Sequence, residues 1–214
     1  LVLKLGTRTL TQGNERIDVE WLARLAAQIK DLQDQGVETI IVSSGAIGLG
    51  MGVLGLEQRP TALDRLQACA ALGQTVLMEH WSRALSNEGM HSAQILLTHE
   101  DVRHRQRHIA VRQTIDQLLA LKVLPIVNEN DTVSTDEIRF GDNDILSALT
   151  ASLCQADLLV MLTTAPGLLN RTGDGELIPV VEKISPEIEA MAGGSDDPAS
   201  VGGMSSKLAA AKVA

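Results

Sequence analysis

Aromatic residues are almost absent from this sequence. They make up 1% of the 214 residues, namely Trp21, Trp81 and Phe140, and there is no tyrosine. Proteins that bind single-stranded nucleic acids stack the bases on aromatic rings. The composition therefore disfavours a nucleic-acid platform. It also predicts a core built from Leu, Ile, Val, Ala and Met.

Basic residues and cysteines are scarce as well. The 18 Lys and Arg residues face 27 Asp and Glu, which gives a formal net charge of −9. Such a chain is a poor general binder of DNA or of anionic membranes. Cys69 and Cys154 stand in apolar helical patterns without the spacing of metal ligands, which predicts buried free thiols in a reducing compartment. No apolar run reaches transmembrane length and no signal peptide is evident, so we expect a cytoplasmic protein.

The order of the chain predicts an α/β fold. Apolar strand-like runs alternate with helical patterns such as 18–35, 61–87 (which we expect to break near Gly73) and 103–122, the last with Ile109 and Ile115 facing inward. This alternation predicts a three-layer αβα sandwich with a mainly parallel sheet. Strand-like and helical patterns run into the two ends of the sequence, so we expect further chain in the native protein.

A long polar cluster at residues 128–144 is the most informative stretch. It follows the apolar run 123–127 and precedes a helical pattern. Ligands of open α/β sheets bind at such carboxyl ends of strands. The acidic side chains have two candidate tasks, which are to hold the ammonium of an amino acid or, for Asp142 and Asp144, to bind Mg²⁺.

Several other segments have the character of phosphate-binding sites. Lys4 lies in an apolar strand that runs into Gly6, where it either meets an anion or faces water at a sheet edge. A second strand ends in Ser44-Gly45. A Gly- and Ser-rich loop at 193–203, which we expect to be mobile, leads into a Ser-capped helix start that carries Lys207. Helix N-termini and lysines together bind phosphate.

Two further patterns are weaker. The sequence from Gly50 to Gly55 matches the dinucleotide-binding pattern G-x-G-x-x-G, but it begins several residues after the strand ends. The pair His104 and His108 has i, i+4 spacing, but it has no evident third metal ligand, and we interpret it as a solvated face. Two lysines, a glycine loop and carboxylates instead suit phosphoryl transfer, which requires positioning and charge neutralisation.

Five motifs occur in an order that resembles the amino acid kinase family, and within it the glutamate 5-kinases. They are Lys4-Leu5-Gly6-Thr7, Ser43-Ser44-Gly45-Ala46-Ile47, Asn128-Glu129-Asn130-Asp131, Gly141-Asp142-Asn143-Asp144 and Gly202-Gly203-Met204-Ser205-Ser206-Lys207. The Asn-Glu-Asn-Asp and Gly-Asp-Asn-Asp pair is the most specific of these to glutamate 5-kinases. The resemblance spans the whole chain.

The resemblance implies ATP-dependent phosphorylation of the side-chain carboxylate of L-glutamate, the first step towards proline. Lys4, Lys207 and Asp144 would be the catalytic residues, with Asp144 orienting both lysines. The implied substrate-binding residues are Ser44, Gly45, Asn128, Asp131, Asp142 and Asn143. The implied nucleotide-binding residues are Lys4, Gly6, Thr163, Thr164, Val201, Gly202, Gly203, Met204, Ser205, Ser206 and Lys207.

The resemblance also implies cofactors, partners and boundaries. ATP and Mg²⁺ would be used without a dedicated protein metal site, proline would act as a feedback inhibitor, and the enzyme would be a homodimer or homotetramer. Residues 1–155 would form the substrate lobe and 156–214 the start of a nucleotide lobe. We expect the rest of that lobe, and the C-terminal RNA-modification-type domain of many members, to lie outside this chain.

Two residues depart from the family pattern. Thr164 stands where the family often has Asp, and Arg8 stands where a small hydroxyl residue is usual.

Two alternative functions remain beside glutamate 5-kinase. They are the kinase half of a bifunctional pyrroline-5-carboxylate synthase and a non-catalytic sensor of glutamate or proline. The retained Lys4, Asp144 and Lys207 argue against a sensor.

Overall fold

A five-stranded parallel sheet forms the centre of the molecule. The computed structural model describes residues 1–11, 16–134, 142–170, 175–192 and 203–214. The strand order is β3-β4-β2-β1-β5, and every neighbouring pair is parallel. The sheet strands are β1 (Val2–Leu5), β2 (Ile40–Ser43), β3 (His91–Leu97), β4 (Val123–Glu129) and β5 (Leu159–Leu162). The predicted α/β class with a parallel sheet is confirmed.

Helices cover both faces of this sheet. The helices of the described residues are α1 (Thr7–Thr11), α2 (Val19–Asp34), α3 (Ala46–Leu54), α4 (Leu63–Asn87), α5 (His99–Arg103), α6 (Arg105–Ala120), α7 (Asp142–Leu153), α8 (Pro186–Ala192) and α9 (Met204–Val213). One core joins α2 and α4 to inward residues such as Leu3 and Ile41. A second core joins α5, α6 and α7 to the alternate strand residues, such as Val2 and Val42. Since adjacent strand residues point to opposite faces, the two cores define the predicted three layers.

Helix α2 follows the sequence prediction closely. The Asp18 carboxylate caps its N-terminus by accepting a hydrogen bond from the backbone N–H of Trp21 at 2.9 Å. Gly36, just beyond the C-terminus, has a φ of 83°, a left-handed conformation that glycine adopts without strain. Leu22, Leu25 and Ile29 are buried on one face. The helix therefore lies within one residue of the predicted range 18–35 at each end.

Helices α3 and α4 cross at two glycines. A Cβ atom on Gly73 would lie 1.8 Å from the carbonyl oxygen of Ala46, and one on Gly50 would lie 1.9 Å from that of Cys69. The expected break of α4 near Gly73 is wrong, because Gly73 lets two backbones pack together and the helix continues through it. Gly50, the first residue of the dinucleotide-like pattern, lies inside α3 and has the same packing role.

Two further differences concern the periphery. Ile109, expected to face inward on α6, is 45% exposed, whereas Ile115 is fully buried as predicted. A short antiparallel hairpin, β6 (Leu168–Leu169) with β7 (Leu177–Ile178), was not predicted because its strands are only two residues long. The expected mobility of 193–203 concerns a loop of which 193–202 lie outside the described residues.

In the part of the chain that is described, no helix is long and apolar enough to span a membrane.

Candidate functional site

The carboxyl ends of four adjacent strands bring the predicted site residues to one edge of the sheet. In the register of the sheet, Leu5 pairs with Ser43 on one side and with Leu162 on the other. The residues that follow these three, Gly6, Ser44 and Thr163, therefore lie at one level. The polar end of β4, Asn128 and Glu129, lies on the far side of β2.

Asp144 joins the two predicted lysines at this edge. It lies in the first turn of α7, is completely buried, and contacts Lys4 through Oδ1 and Lys207 through Oδ2. The Lys207 Nζ to Oδ2 distance is 3.2 Å. The Lys4 side chain is 8% exposed and that of Lys207 is 15% exposed. Of the two possibilities for Lys4, the structure therefore shows a buried lysine that meets an anion.

Burial and charge oppose each other in this cluster. Burial lowers the pKa of Lys4, while the attraction of Asp144 partly offsets the shift. Burial alone would raise the pKa of Asp144. The charge and hydrogen bond of Lys4, the hydrogen bond of Ser206 and the charge of Lys207 outweigh it, so the Asp144 pKa is lowered. Two cations thus share one ionised carboxylate, and the cluster has a net positive charge.

The start of α9 brings Lys207 to this site. Gly203 is the N-cap of α9 and makes no side-chain capping bond, so the predicted serine cap is wrong. The Ser206 hydroxyl lies inside the first turn, 2.6 Å from Asp144 Oδ2 and 2.8 Å from the carbonyl oxygen of Gly203. Ser206 therefore links α9 to α7 and does not cap its own helix.

A second polar network lies beside the lysines. The Asn143 amide nitrogen donates to Ser44 Oγ at 2.7 Å and to Asn128 Oδ1 at 2.9 Å. Asn128 Oδ1 also accepts from the backbone N–H of Glu129 at 2.9 Å, and Asn128 Nδ2 donates to Gln74 Oε1 at 2.8 Å. Three predicted substrate residues and one unpredicted glutamine thus form a continuous chain of hydrogen bonds.

The described part of the polar cluster after β4 is anchored at several points. The backbone N–H of Asn130 donates to the carbonyl oxygen of Leu97 at 2.8 Å. The side-chain Nε2 of Gln67 donates to the carbonyl oxygen of Ser134 at 3.0 Å. Asp131 is half-buried, and its charge acts on Arg59, a residue of the α3–α4 connection. Burial lowers the pKa of Arg59, and Asp131 opposes that shift. Residues 135–141 lie outside the described residues.

The remaining predicted site residues, from both the nucleotide and the substrate sets, divide into three groups. Gly6 and Thr163 follow β1 and β5 at the edge, and Thr163 and Thr164 are exposed. Gly203, Met204 and Ser205 stand at the start of α9, and Val201 and Gly202 lie outside the described residues. Gly45, whose φ is 115°, makes the left-handed turn from β2 into α3, and Asp142 begins α7.

No metal site forms among the residues that the structure describes, since no three His, Cys, Asp or Glu side chains come together as a ligand set. His104 is exposed, and His108 Nδ1 lies 3.1 Å from the carbonyl oxygen of Val102. The interpretation of this pair as a solvated face therefore holds for His104, whereas His108 is half-buried and contacts the preceding helix, α5.

Sequence reasoning missed Gln74 and Arg59. Gln74 is 8% exposed on α4, between the buried residues Ala70 and Leu77. A polar residue at an apolar position of a helical pattern was the signal that could have revealed it, because buried polar groups require partners. Arg59 is in a connection without periodicity, so no comparable signal was available.

The comparisons with known proteins agree with this geometry. The family model described as amino acid kinase family matches residues 1–214. Proteins named glutamate 5-kinase from Moorella thermoacetica, Pseudomonas fluorescens and Geobacter sulfurreducens are 45%, 44% and 46% identical over the whole chain. The chain spans 58% of the length of each of these relatives. This chain belongs to the amino acid kinase family.

Proposed function

We propose that this protein transfers the γ-phosphate of ATP to the side-chain carboxylate of L-glutamate, giving L-glutamyl 5-phosphate, the first step of proline biosynthesis. One observation carries the proposal above the others. A buried carboxylate, Asp144, holds two lysine ammonium groups together at the sheet edge. The names of the relatives supply the acceptor, and the polar network beside the lysines has the chemistry to bind it.

Phosphoryl transfer to a carboxylate requires little from the protein beyond positioning and charge. The acceptor is already ionised at neutral pH, with a pKa of about 4.3 for a glutamate side chain, so no general base is needed. A carboxylate oxygen forms a bond to the γ-phosphorus as the bond to the β-phosphate oxygen breaks, and ADP leaves. Lys4 and Lys207 neutralise the charge on the transferring group, while Asp144 fixes the distance between them.

The substrate side of the site has both hydrogen-bond donors and acceptors. Ser44 Oγ accepts from Asn143, so its own hydroxyl hydrogen remains free to donate to a substrate carboxylate. Asn143 Oδ1 accepts no hydrogen bond within the described part of the chain, and it suits an ammonium. Asp131 supplies negative charge for that ammonium. We assign Gly45, Asn128 and Asp142 to the same pocket as supporting residues.

The nucleotide side follows from the same arrangement. The Gly6 turn beside Lys4 and the N-terminus of α9 offer positive charge and backbone N–H groups to phosphates. A Cβ atom on Gly6 would lie 3.6 Å from Lys4 Nζ, so glycine keeps the space beside the ammonium open. Thr163, Thr164 and residues 201–206 would line the nucleotide. Residues 1–155 would then be the substrate lobe and 156–214 the start of the nucleotide lobe.

Direct ligation of Mg²⁺ by Asp144 does not fit the structure. Both of its oxygens already contact Lys4, Lys207 or Ser206. The described residues contain no other carboxylate cluster suited to the ion. Any Mg²⁺ would therefore be held by the phosphates of ATP, with the lysines of this chain as the protein's own cations. A homo-oligomeric state, inhibition by proline and a cytoplasmic location stay predictions.

An acceptor panel tests the proposal. The complete protein would be incubated with ATP and hydroxylamine, and hydroxamate formation would be measured with glutamate, aspartate, N-acetylglutamate and carbamate. We expect product with glutamate alone. N-acetylglutamate keeps the reacting carboxylate but lacks the ammonium, so activity with it would contradict the pocket described here. Activity with aspartate and not glutamate would contradict the acceptor.

The role of Asp131 has its own control. Asp131→Asn should raise the glutamate KM at least tenfold, because the variant lacks the ion pair to the ammonium. The ATP KM should stay unchanged. The exposed neighbour Thr132, changed to Ala, should leave both constants as they are. An unchanged glutamate KM in Asp131→Asn would remove this residue from the pocket.

A further inference from the structure

We propose that Gln74 is a positioning residue for the glutamate pocket, because it supplies the acceptor that keeps Asn128 in the orientation set by the Glu129 backbone N–H. The inference rests on the proposed function for the identity of the ligand. Gln74 comes from the middle of α4 and is 8% exposed, while Asn128, its partner, is 2% exposed. The two side chains meet at 2.8 Å, away from the reacting groups.

The orientation of Asn128 follows from groups that cannot reverse their roles. The backbone N–H of Glu129 can only donate, and it lies 2.9 Å from Asn128 Oδ1. The amide nitrogen of Asn128 must therefore point the other way, towards Gln74. A buried N–H group needs an acceptor, and Gln74 Oε1 supplies it.

The direction then passes to the substrate residues. With Oδ1 of Asn128 held outward, Asn143 must present its amide nitrogen, which also donates to Ser44. Asn143 Oδ1 is thereby left as an acceptor and the Ser44 hydroxyl as a donor. Gln74 thus stabilises the orientation in which Asn143 Oδ1 remains an acceptor and the Ser44 hydroxyl remains a donor.

A second feature of Gln74 supports a dedicated role. Its own Nε2 is buried and has no hydrogen-bond partner among the described residues. A leucine at this position would avoid that unsatisfied donor and would suit the apolar face of α4. Glutamine is therefore less stabilising than leucine at this position. What glutamine adds, and leucine cannot, is the hydrogen bond to Asn128.

Three substitutions separate this role from packing. Gln74→Leu removes the acceptor, and we expect the glutamate KM to rise about tenfold, as for the loss of one buried hydrogen bond, while the ATP KM stays within twofold. Gln74→Glu keeps an acceptor oxygen in either protonation state and should restore a glutamate KM near that of the wild type. Leu77→Ala, one turn further along the same buried face, should lower the Tm without changing the glutamate KM.

A measurement without ligand tests the mechanism itself. Hydrogen exchange at the Glu129 amide, measured in the complete protein, should accelerate in Gln74→Leu but not in Gln74→Glu, because Asn128 then holds that N–H less firmly. Equal effects of Gln74→Leu and Leu77→Ala on the glutamate KM, or unchanged exchange at Glu129, would overturn the inference. If the wild type phosphorylates no glutamate, the proposed function fails, while the exchange experiment still decides the role of Gln74.

Discussion

At the scale of single residues, Asp144 has the largest energetic consequences. Its carboxylate is fully buried, and each oxygen contacts a different lysine. A buried ion pair gives little net stability, but removing one partner leaves an uncompensated charge that costs about 3–5 kcal/mol. The cluster contains two cations for one anion, so one positive charge remains to attract phosphate. The cluster can therefore bind an anionic ligand through this remaining positive charge.

Lys207 can be removed without leaving Asp144 unpaired. Lys207→Ala leaves Lys4 paired with Asp144 Oδ1, so the fold should persist. We expect kcat to fall by about 10²–10³, as when a transition-state donor is lost, with a change in glutamate KM below threefold. Steady-state kinetics on the complete protein measure both. Lys212→Ala, on the same helix but paired with Glu189, is the matched control and should keep the wild-type kcat.

The outcome is informative in either direction. An unchanged kcat in Lys207→Ala would place this lysine outside the transition state. A large rise in glutamate KM at constant kcat would instead assign it to ground-state binding.

Cys154 illustrates how burial controls reactivity. Burial and the nearby Asp116 raise the pKa of its thiol to about 11, although Arg112 acts in the opposite direction. At pH 8 only ~0.1% would be thiolate, the reactive form. We expect alkylation of Cys154 by iodoacetamide to be about a hundredfold slower than that of an exposed thiol, as followed by peptide mass spectrometry. Asp116→Asn should accelerate it, and an unchanged rate would show that Asp116 does not influence the thiol.

At the scale of elements, the crossing of α3 and α4 fixes the position of Gln74 relative to Ser44-Gly45. Helix α3 begins immediately after Ser44-Gly45, and α4 carries Gln74 next to the glycine of the crossing. The close approach at Gly50 and Gly73 therefore sets the distance between two parts of the pocket. A wider crossing would move Gln74 away from Ser44, which precedes α3.

Alanine substitutions at Gly50 and Gly48, which both lie in α3, should have opposite effects. Gly73→Ala and Gly50→Ala place a methyl group within 2 Å of a backbone carbonyl, so two helices must separate, at a cost of about 1–3 kcal/mol or more. At Gly48 of α3 the added Cβ would lie 3.7 Å from Thr7 Cγ2, an ordinary contact. Gly48→Ala should be neutral or stabilising by up to ~1 kcal/mol, because alanine favours helix.

Thermal unfolding of the three variants measures this difference. A fall in Tm for Gly73→Ala and Gly50→Ala, with no fall for Gly48→Ala, is the expected result. Comparable Tm values in all three would show that α4 can shift at little cost, and the crossing would not constrain the pocket.

At the scale of the whole molecule, the parts that sequence predicts are those governed by local pattern. The alternation of strand and helix gave the parallel sheet, and the helical pattern over 18–35 gave α2 to within one residue at each end. Lys4, Ser44 and Thr163 could be placed at one edge because parallel strands share the direction of their ends. The break at Gly73, the exposure of Ile109 and the role of Gln74 depend on contacts between distant segments, which no local pattern contains.

The pH dependence of stability follows from the same buried cluster. The pKa of Asp144 is lowered on folding, because its cationic partners outweigh burial. A depressed carboxyl pKa stabilises the fold above the unfolded value of about 3.9. That contribution is lost as the pH falls through the folded pKa. We therefore expect Asp144 to contribute fully at neutral pH and to lose its contribution only below about pH 4.

Lys4→Met tests this assignment by removing the cation with the largest effect on Asp144. The substitution is close in size, so packing should change little. Burial then opposes ionisation with only Ser206 and Lys207 to offset it, so the pKa of Asp144 rises. The acid limb of a plot of Tm against pH should shift to higher pH than in the wild type. Lys212→Met, whose partner Glu189 is half exposed, should leave that limb in place. If Lys4→Met and the wild type lost stability over the same pH range, the Lys4–Asp144 pair would not control acid unfolding.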